Sequence, residues 1–307
     1  MTNTFAYLGP RGTFAEAAIT RLPAAEGAAL VPAESVPSAL ALVRSGEVSG
    51  ALVPIENSVE GAVPTTLDGL SHGDTLEIVA EIAIPVEFSL LVRPGTQLSN
   101  IKRIATHPHA HAQCLEWLSA NLPGVHVLPA MSTATAAAEL ADGANFEAAI
   151  CARVAADHYE LDILADNIGD SDAAWTRFVL VRKPGHALPA TNSDKTTVSL
   201  FMFENHPGAL QEILTEFTVR GIDLTRLESR PTKKQLGDYF FSIDFEGHID
   251  DERVGEALKG LHRICADVKF LGSYPRHDHV GVPVKTAVNN ESFLEADEWL
   301  SKIRKRV

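Results

Sequence analysis

The sequence has little of what marks several large classes of protein. Cysteine is scarce: Cys114, Cys151 and Cys265 are the only three in 307 residues. The number is odd and no two form a CxxC pair, so neither a disulfide framework nor a zinc signature is present. Reduced, mostly buried thiols are expected. No stretch approaches the roughly 18 apolar residues of a membrane span. The opening Met1-Thr-Asn-Thr-Phe5 shows no basic region followed by an apolar run, so no export signal is expected. These absences predict a soluble, cytoplasmic protein with no membrane partner. Positive charge is also short, with 26 Lys and Arg against 40 Asp and Glu, a net charge of −14. Such a chain does not bind nucleic acid or anionic lipid through its overall field. An anionic ligand must be held by local positive groups. There is no clear internal repeat and no low-complexity tract.

What is present reads as an ordinary globular chain, 45% hydrophobic and 21% charged. The length suits two domains, each with its own core. The first part alternates strands and helices. Phe5-Ala-Tyr-Leu8 is a short apolar strand, followed by the turn Gly9-Pro-Arg-Gly12 and a helix over 13–21. Ser35 is the N-cap of a helix reaching Ser45. Gly50-Ala-Leu-Val53 is a buried strand ending at Pro54. Residues 76–85 and 86–93 are extended and suit a crossing between two lobes. A strand near Ile104, a helix over 109–120, a strand over 125–128, a helix over 132–141 and a strand over 148–151 repeat the pattern. Phe178-Val-Leu-Val181 closes it. This alternation predicts an α/β region with parallel sheets and helices on both faces.

Residues 183–194 are rich in Pro, Gly and small polar residues and read as a linker. Beyond it the order is strand 196–203, helix 208–220, strands 223–229 and 239–245, helix 251–264 and strand 268–273. That is the βαββαβ succession of a ferredoxin-like α+β domain, with 233–237 as its hairpin. The expected division is therefore 1–182, linker 183–194, 195–275, and a tail over 276–307. Phe293, Leu294, Trp299, Leu300 and Ile303 give the tail an amphipathic helix with a basic end.

Three segments place a polar or Gly-rich turn between a strand and a helix: Gly9-Pro-Arg-Gly-Thr13, Ile55-Glu-Asn-Ser58 and Met131-Ser-Thr-Ala-Thr135. In open α/β folds such turns lie where ligands bind. A helix N-terminus offers unpaired N–H groups and partial positive charge, and Ser132 with Thr133 and Thr135 suits a carboxylate. Each is equally an ordinary capped βα turn. Glu56 beside Asn57 suits an acid, base or orienter, or a solvated surface loop. Arg177, between Thr176 and Phe178, suits a bidentate carboxylate clamp, or a strand-edge salt bridge. His107, His109 and His111 do not share one helical face, Pro108 interrupts them, and Cys114 is the only soft ligand nearby. No metal site is expected there.

Taken together, these segments resemble the monofunctional prephenate dehydratases over essentially the whole chain. The resemblance rests on Tyr7-Leu-Gly-Pro-Arg-Gly-Thr-Phe14, Val53-Pro-Ile-Glu-Asn-Ser58 with Gly61, Ser132-Thr-Ala134 and Thr176-Arg-Phe178. In the second domain Asn205-His-Pro-Gly-Ala-Leu210 and Glu228-Ser-Arg-Pro231 are similar to the two phenylalanine-binding motifs of the family's ACT domain. Two positions depart from the pattern. Gln211 follows the leucine where a further apolar residue is usual, and His109 stands where a glutamine is expected.

The resemblance implies a two-lobed catalytic domain like that of periplasmic binding proteins, with its site in the cleft, and a ferredoxin-like ACT domain. It implies decarboxylating dehydration of prephenate to phenylpyruvate, without cofactor or metal, inhibited by L-phenylalanine. It also implies a homodimer or homotetramer. Thr176 is then the donor to the departing hydroxyl. Glu56 is an alternative proton source, Asn57 an orienter and Arg177 the ligand of the retained carboxylate. Gly12, Thr13, Ser58, Ser132, Thr135 and Phe178 complete the substrate site. Asn205, Pro207, Gly208, Ala209, Leu210, Glu228, Ser229, Arg230 and Pro231 form the effector site. Other readings are a non-enzymatic binding protein, an ACT-bearing amino-acid sensor, and an arogenate dehydratase.

Overall fold

The computed structural model describes residues 3–171, 173–185, 188–204, 206–235 and 237–305. In chain order the elements begin β1 (Thr4–Leu8), α1 (Phe14–Ile19), β2 (Ala29–Ala33), α2 (Val36–Ser45), β3 (Gly50–Asn57), β4 (Gly61–Ala62), α3 (Pro64–Ser71) and β5 (Glu77–Pro85). They continue β6 (Phe88–Val92), β7 (Arg103–Thr106), α4 (Pro108–Ala112), α5 (Leu115–Asn121), β8 (His126–Pro129), α6 (Thr133–Ala141), β9 (Ala148–Ala152), α7 (Val154–Tyr159), β10 (Asp162–Ala165) and β11 (Trp175–Arg182). The last group is β12 (Asp194–Phe201), α8 (Ala209–Thr218), β13 (Leu224–Pro231), β14 (Tyr239–Glu246), α9 (Glu252–Ile264), β15 (Asp267–Pro275) and α10 (Asn290–Lys305). Two compact units result. One comprises residues 1–63 and 82–178, the other 64–81 and 179–307. Residues 64–81 thus group with the C-terminal part of the chain.

The first unit holds two sheets. One has the order β2-β1-β3-β11-β5 with β4 paired to β3, and β5 and β11 continue into the second unit. The other has the order β10-β6-β9-β7-β8. The sheets are mixed, correcting the all-parallel expectation: β10 and β9 both run antiparallel to β6, whereas β7 is parallel to β8 and β9. In the second sheet successive side chains serve two cores, as strand alternation requires. Leu90, Ile104 and Ile150 pack with Cys114 and Leu118. Leu91, Ala105 and Cys151 pack with Ala137 and Leu140 of α6. Helices on both faces follow. The chain leaves the first sheet after Pro85, enters the second at Phe88, and returns between Ala165 and Trp175. Val86 N–H donates to Ala174 O at 2.7 Å, tying the two crossings together.

Other boundaries differ from the sequence reading for local reasons. β3 runs past Pro54 to Asn57. Its pairing with β1 stops at Leu52, so the missing Pro54 N–H costs no bond to that neighbour. The single helix expected over 109–120 is broken at Gln113 and Cys114. Asp170 N–H donates to Gln113 O at 2.7 Å, and the Asp170 carboxylate accepts from Glu116 N–H at 3.1 Å. One residue from the return crossing thus ends α4 and caps α5. The short edge strands β2 and β10 bury little: β2 reads Ala-Leu-Val-Pro-Ala, apolar throughout but without the alternation of a half-buried strand, and the sequence reading passed over both. Cys114, Cys151 and Cys265 are buried free thiols. Burial, aided by Asp170, pushes the Cys114 thiol up to about 12, and burial pushes Cys265 up to about 11.

The second unit contains the antiparallel sheet β13-β14-β12-β15. Its elements follow the βαββαβ succession. Val198, Leu200, Phe241, Ile243 and Phe245 pack on Ile213 and Phe217 of α8 and Val254 and Leu261 of α9. The alternate residues form a buried polar face. Arg226 donates from Nε to Asp244 Oδ2 at 2.9 Å and from its terminal nitrogen to Oδ1 at 2.7 Å. Thr197 Oγ1 donates to the same carboxylate. Residues 64–81 meet this face: Ser71 Oγ bonds Ser199 Oγ at 2.7 Å, and Lys195 Nζ donates to both oxygens of Glu81 at 3.0 Å.

Removing one partner of a buried, hydrogen-bonded ion pair strands the other charge. Asp244→Ala is expected to lower unfolding free energy by about 3–5 kcal/mol in urea titration; a loss below about 1 kcal/mol would show that Arg226 finds another partner.

Candidate active site

Cross-strand hydrogen bonds organise the site. Ser58 N–H donates to Trp175 O at 2.9 Å. Asn57 Nδ2 donates to Thr176 Oγ1 at 2.9 Å. Arg177 Nε donates to Glu56 Oε2 at 3.0 Å. The pairs 58–175, 57–176 and 56–177 step in opposite directions, so β3 and β11 run antiparallel here. Neighbouring side chains on a strand point to opposite faces. Asn57 and Thr176 therefore share one face of the ladder, and Glu56 and Arg177 the other.

The first pair opens into a cavity of about 310 Å³ lined by residues of both sheets, near the lower end of ligand-pocket sizes. Phe14, Val86 and Phe88 supply its apolar side, with Phe14 and Phe88 packed edge to face. Asn57, Glu60, His107, His109, Gln113, Ser132, Thr133 and Thr176 supply its polar side, and Ala110 and Met131 complete it. No Lys or Arg lies among these lining residues. A larger cavity of about 820 Å³ lies wholly in the second unit, but none of the expected catalytic residues borders it.

The Asn57 amide has a fixed orientation. Its Oδ1 accepts from Val59 N–H and Glu60 N–H, each at 2.9 Å, which leaves the NH₂ end for Thr176. Thr176 Oγ1 thus receives a hydrogen bond. A hydroxyl carries one proton of its own, and that proton remains available to a ligand in the cavity. His107 is similarly set. Its Nδ1 accepts from His109 N–H at 3.3 Å, so a neutral ring carries its proton on Nε2. Burial and the neighbouring His109 hold its pKa below the usual imidazole range. His109 lies 3.7 Å from Glu60. The sequence reading weighed these histidines as metal ligands and set that aside, and noted His109 as a departure from the family's glutamine. Their signal was the His-Pro step, where His107 caps α4.

The structure does not bring the whole expected set together. The Glu56–Arg177 pair faces away from the cavity, with the Arg177 side chain 8% exposed. Phe178 is buried in the core. Ser58 is a strand tie: its Oγ accepts from Trp175 N–H at 2.9 Å and donates to Ala173 O at 3.1 Å. Thr13 caps α1, and its Oγ1 donates to Leu8 O at 3.0 Å. Gly12 N–H donates to Glu16 Oε2 at 2.6 Å, and Glu16 also meets His158 Nε2 at 2.9 Å. Gly12 has φ +81°, and a Cβ there would come within 3.1 Å of the Ala155 backbone, so glycine is needed at this close approach. Ser132 caps α6 by accepting from Thr135 N–H at 2.9 Å, and the two hydroxyls are 2.7 Å apart. Of this group only Ser132 borders the cavity.

The two motifs expected to bind an effector lie in the second unit, and Asn205 falls outside the described residues. Gly208 adopts φ +97° at the start of α8. A Cβ there would meet nothing within 4 Å, so the glycine serves conformation rather than space. With Ala209, Leu210 and Gln211 it borders a shallow cavity of about 440 Å³, beside exposed Pro207. Glu228, Ser229, Arg230 and Pro231 occupy the end of the edge strand β13, where Ser229 and Pro231 are exposed. Arg230 donates twice to Asp68 of α3, at 3.2 Å each, and Lys233 reaches the same carboxylate at 2.7 Å. Burial raises the Asp68 pKa, but bonding to Arg230 and Lys233 outweighs it and holds the group below the usual carboxylate range.

Comparison with known proteins adds to this geometry. The prephenate dehydratase family model matches residues 5–186, and the ACT domain model matches 196–263. A prephenate dehydratase of Amycolatopsis methanolica is 48% identical over 301 residues, covering 98% of this chain and 97% of that one. One from Mycobacterium tuberculosis is 46% identical over 307 residues, covering 97% and 93%. A crystal structure of prephenate dehydratase from Arthrobacter aurescens in complex with L-Phe superposes with a TM-score of 0.94 at 49% identity, covering 98% of this chain and 99% of that chain.

Proposed function

The chain belongs to the prephenate dehydratase family and carries an ACT domain, and on that footing we propose that prephenate is converted to phenylpyruvate in the cavity at Asn57 and Thr176, under inhibition by L-phenylalanine at the ACT domain. The observation that carries the catalytic part is the hydrogen bond from Asn57 into Thr176 Oγ1. In the reaction the ring C–O bond breaks and the oxygen leaves as water after taking a proton. The ring C–carboxylate bond breaks to release carbon dioxide, and its electron pair completes the aromatic ring. Thr176 donates its hydroxyl hydrogen bond to the departing oxygen, because Asn57 already occupies one of its lone pairs. Threonine is far too weak an acid to surrender that proton near neutral pH, so it stabilises the departing oxygen by hydrogen bonding alone, and the proton that completes the water is drawn from solvent.

The carboxylate that remains is received at the start of α6, where Ser132 and Thr133 border the cavity and the helix N-terminus favours an anion. The carboxylate that leaves sits toward Phe14, Val86 and Phe88, where weak solvation favours its loss. Glu56 and Arg177 act from the far face of the ladder. Their ion pair fixes β3 against β11, so that Asn57 and Thr176 stay in register. Gly12, Thr13, Ser58, Thr135 and Phe178 hold the surrounding turns and strands. The dehydratase region is taken as 1–182, joined by 183–194 to an ACT domain over 195–275 and a tail over 276–307. Phenylalanine binds between the Gly208 turn and the Glu228–Pro231 segment of two ACT domains, in a cytoplasmic homodimer or homotetramer.

Purified protein given prephenate should form phenylpyruvate, and added phenylalanine should suppress it. Gly208→Val should turn over normally and resist suppression, since valine is strained at a positive φ. Turnover of arogenate but not prephenate would move the activity to the amino counterpart, and inertness toward both would favour a binding protein. Unchanged inhibition of the valine variant would refute the effector site. Thr176→Ala should lower kcat by about 10² or more while Thr176→Ser keeps most activity; a wild-type rate for the alanine variant sinks the assignment.

A further inference from the structure

The C-terminal helix α10 presents an apolar stripe that its own chain leaves uncovered. Trp299 is 64% exposed and Ile303 53%. Ala296, Trp299 and Ile303 follow one another at steps of three and four residues, the spacing of a coiled-coil seam. A side of the helix about a quarter turn away carries Phe293 and Leu300, which are half-buried, and α10 packs against α9. The stripe is therefore lateral to the helix's own contact. The start of the helix is also tethered. Asn290 Oδ1 accepts from Glu252 N–H at 3.0 Å, Asn289 Oδ1 accepts from Ser292 N–H at 2.9 Å, and Ser292 Oγ donates to Thr286 O at 2.6 Å. An exposed tryptophan on an anchored helix is the kind of group that dominates protein–protein contacts.

Charge identifies the occupant. The acidic residues of α10, Glu291, Glu295, Asp297 and Glu298, precede its basic ones, Lys302, Arg304 and Lys305. This order complements the helix dipole, yet it also complements a second α10 laid antiparallel. Glu295 and Lys302 both flank the seam on the same side, seven residues apart. Among the described residues neither forms an ion pair within its own chain. Antiparallel packing that sets Ala296 against Trp299 brings Glu295 beside Lys302 of the second copy, and two-fold symmetry repeats the contact.

We infer that α10 is an interface helix that pairs antiparallel with α10 of a second copy of this chain, through Ala296, Trp299 and Ile303 and the Glu295–Lys302 contacts. The inference is independent of catalysis. Sedimentation velocity over a dilution series of the full chain tests it, with circular dichroism to verify folding. Trp299→Glu with Ile303→Glu should raise the concentration at which subunits separate by about tenfold or more. Glu295→Lys and Lys302→Glu should each weaken association roughly three- to tenfold, since each breaks two symmetric contacts. The combined charge reversal should restore wild-type association. The inference fails if the wild type is monomeric throughout, or if the seam variant sediments like wild type. It fails equally if the double reversal does not recover, which would point to a different occupant.

Discussion

The candidate site is organised around a single hydrogen bond, from the Asn57 amide to the Thr176 hydroxyl. Two residues 119 positions apart in sequence meet because β3 and β11 are neighbours in one sheet. The amide cannot turn over without losing two backbone donors, Val59 and Glu60. The hydroxyl therefore always accepts from one side and offers its proton to the other. A threonine in a strand thereby becomes an oriented hydrogen-bond donor.

The same two strands explain why four residues that look like one constellation in sequence divide into two pairs. Side chains alternate along a strand, so Glu56-Asn57 and Thr176-Arg177 each contribute one residue to either face. One face lines the cavity, while the other carries the Glu56–Arg177 ion pair. β4 extends the arrangement, pairing Ala62 with Glu56 and Gly61 with Asn57. Helix α3 begins two residues later, and Asp68 within it is held by Arg230 of the second effector motif.

Much of this was legible in the sequence, for identifiable reasons. The ferredoxin-like half could be read because its strands and helices are apolar and periodic and alternate cleanly, as in Thr196–Phe203 and Asp251–Ile264. Thr176 and Asn57 were legible through motifs whose members recur together. Their division from Glu56 and Arg177 was not, because it depends on which strands pair and on which face a cavity opens. The break in the helix at Gln113 was hidden for a similar reason: Asp170, which imposes it, lies more than fifty positions away. Strands β2 and β10 lie at sheet edges, and neither shows the in-and-out alternation that marks a half-buried strand, β2 being apolar throughout and β10 only four residues long. His107 and His109 were visible but weighed as metal ligands and, for His109, as a departure from the family pattern, whereas both line the cavity.

The most direct test of this account is a double-mutant cycle on turnover with Asn57→Ala, Thr176→Ala and the combined variant. If Asn57 acts by orienting the Thr176 hydroxyl, then once that hydroxyl is gone the amide has nothing left to orient. The double variant should then be about as slow as Thr176→Ala alone, with strongly non-additive losses. Losses that multiply, each substitution costing as much in the presence of the other as in its absence, would contradict the account and give Asn57 a separate role on the substrate.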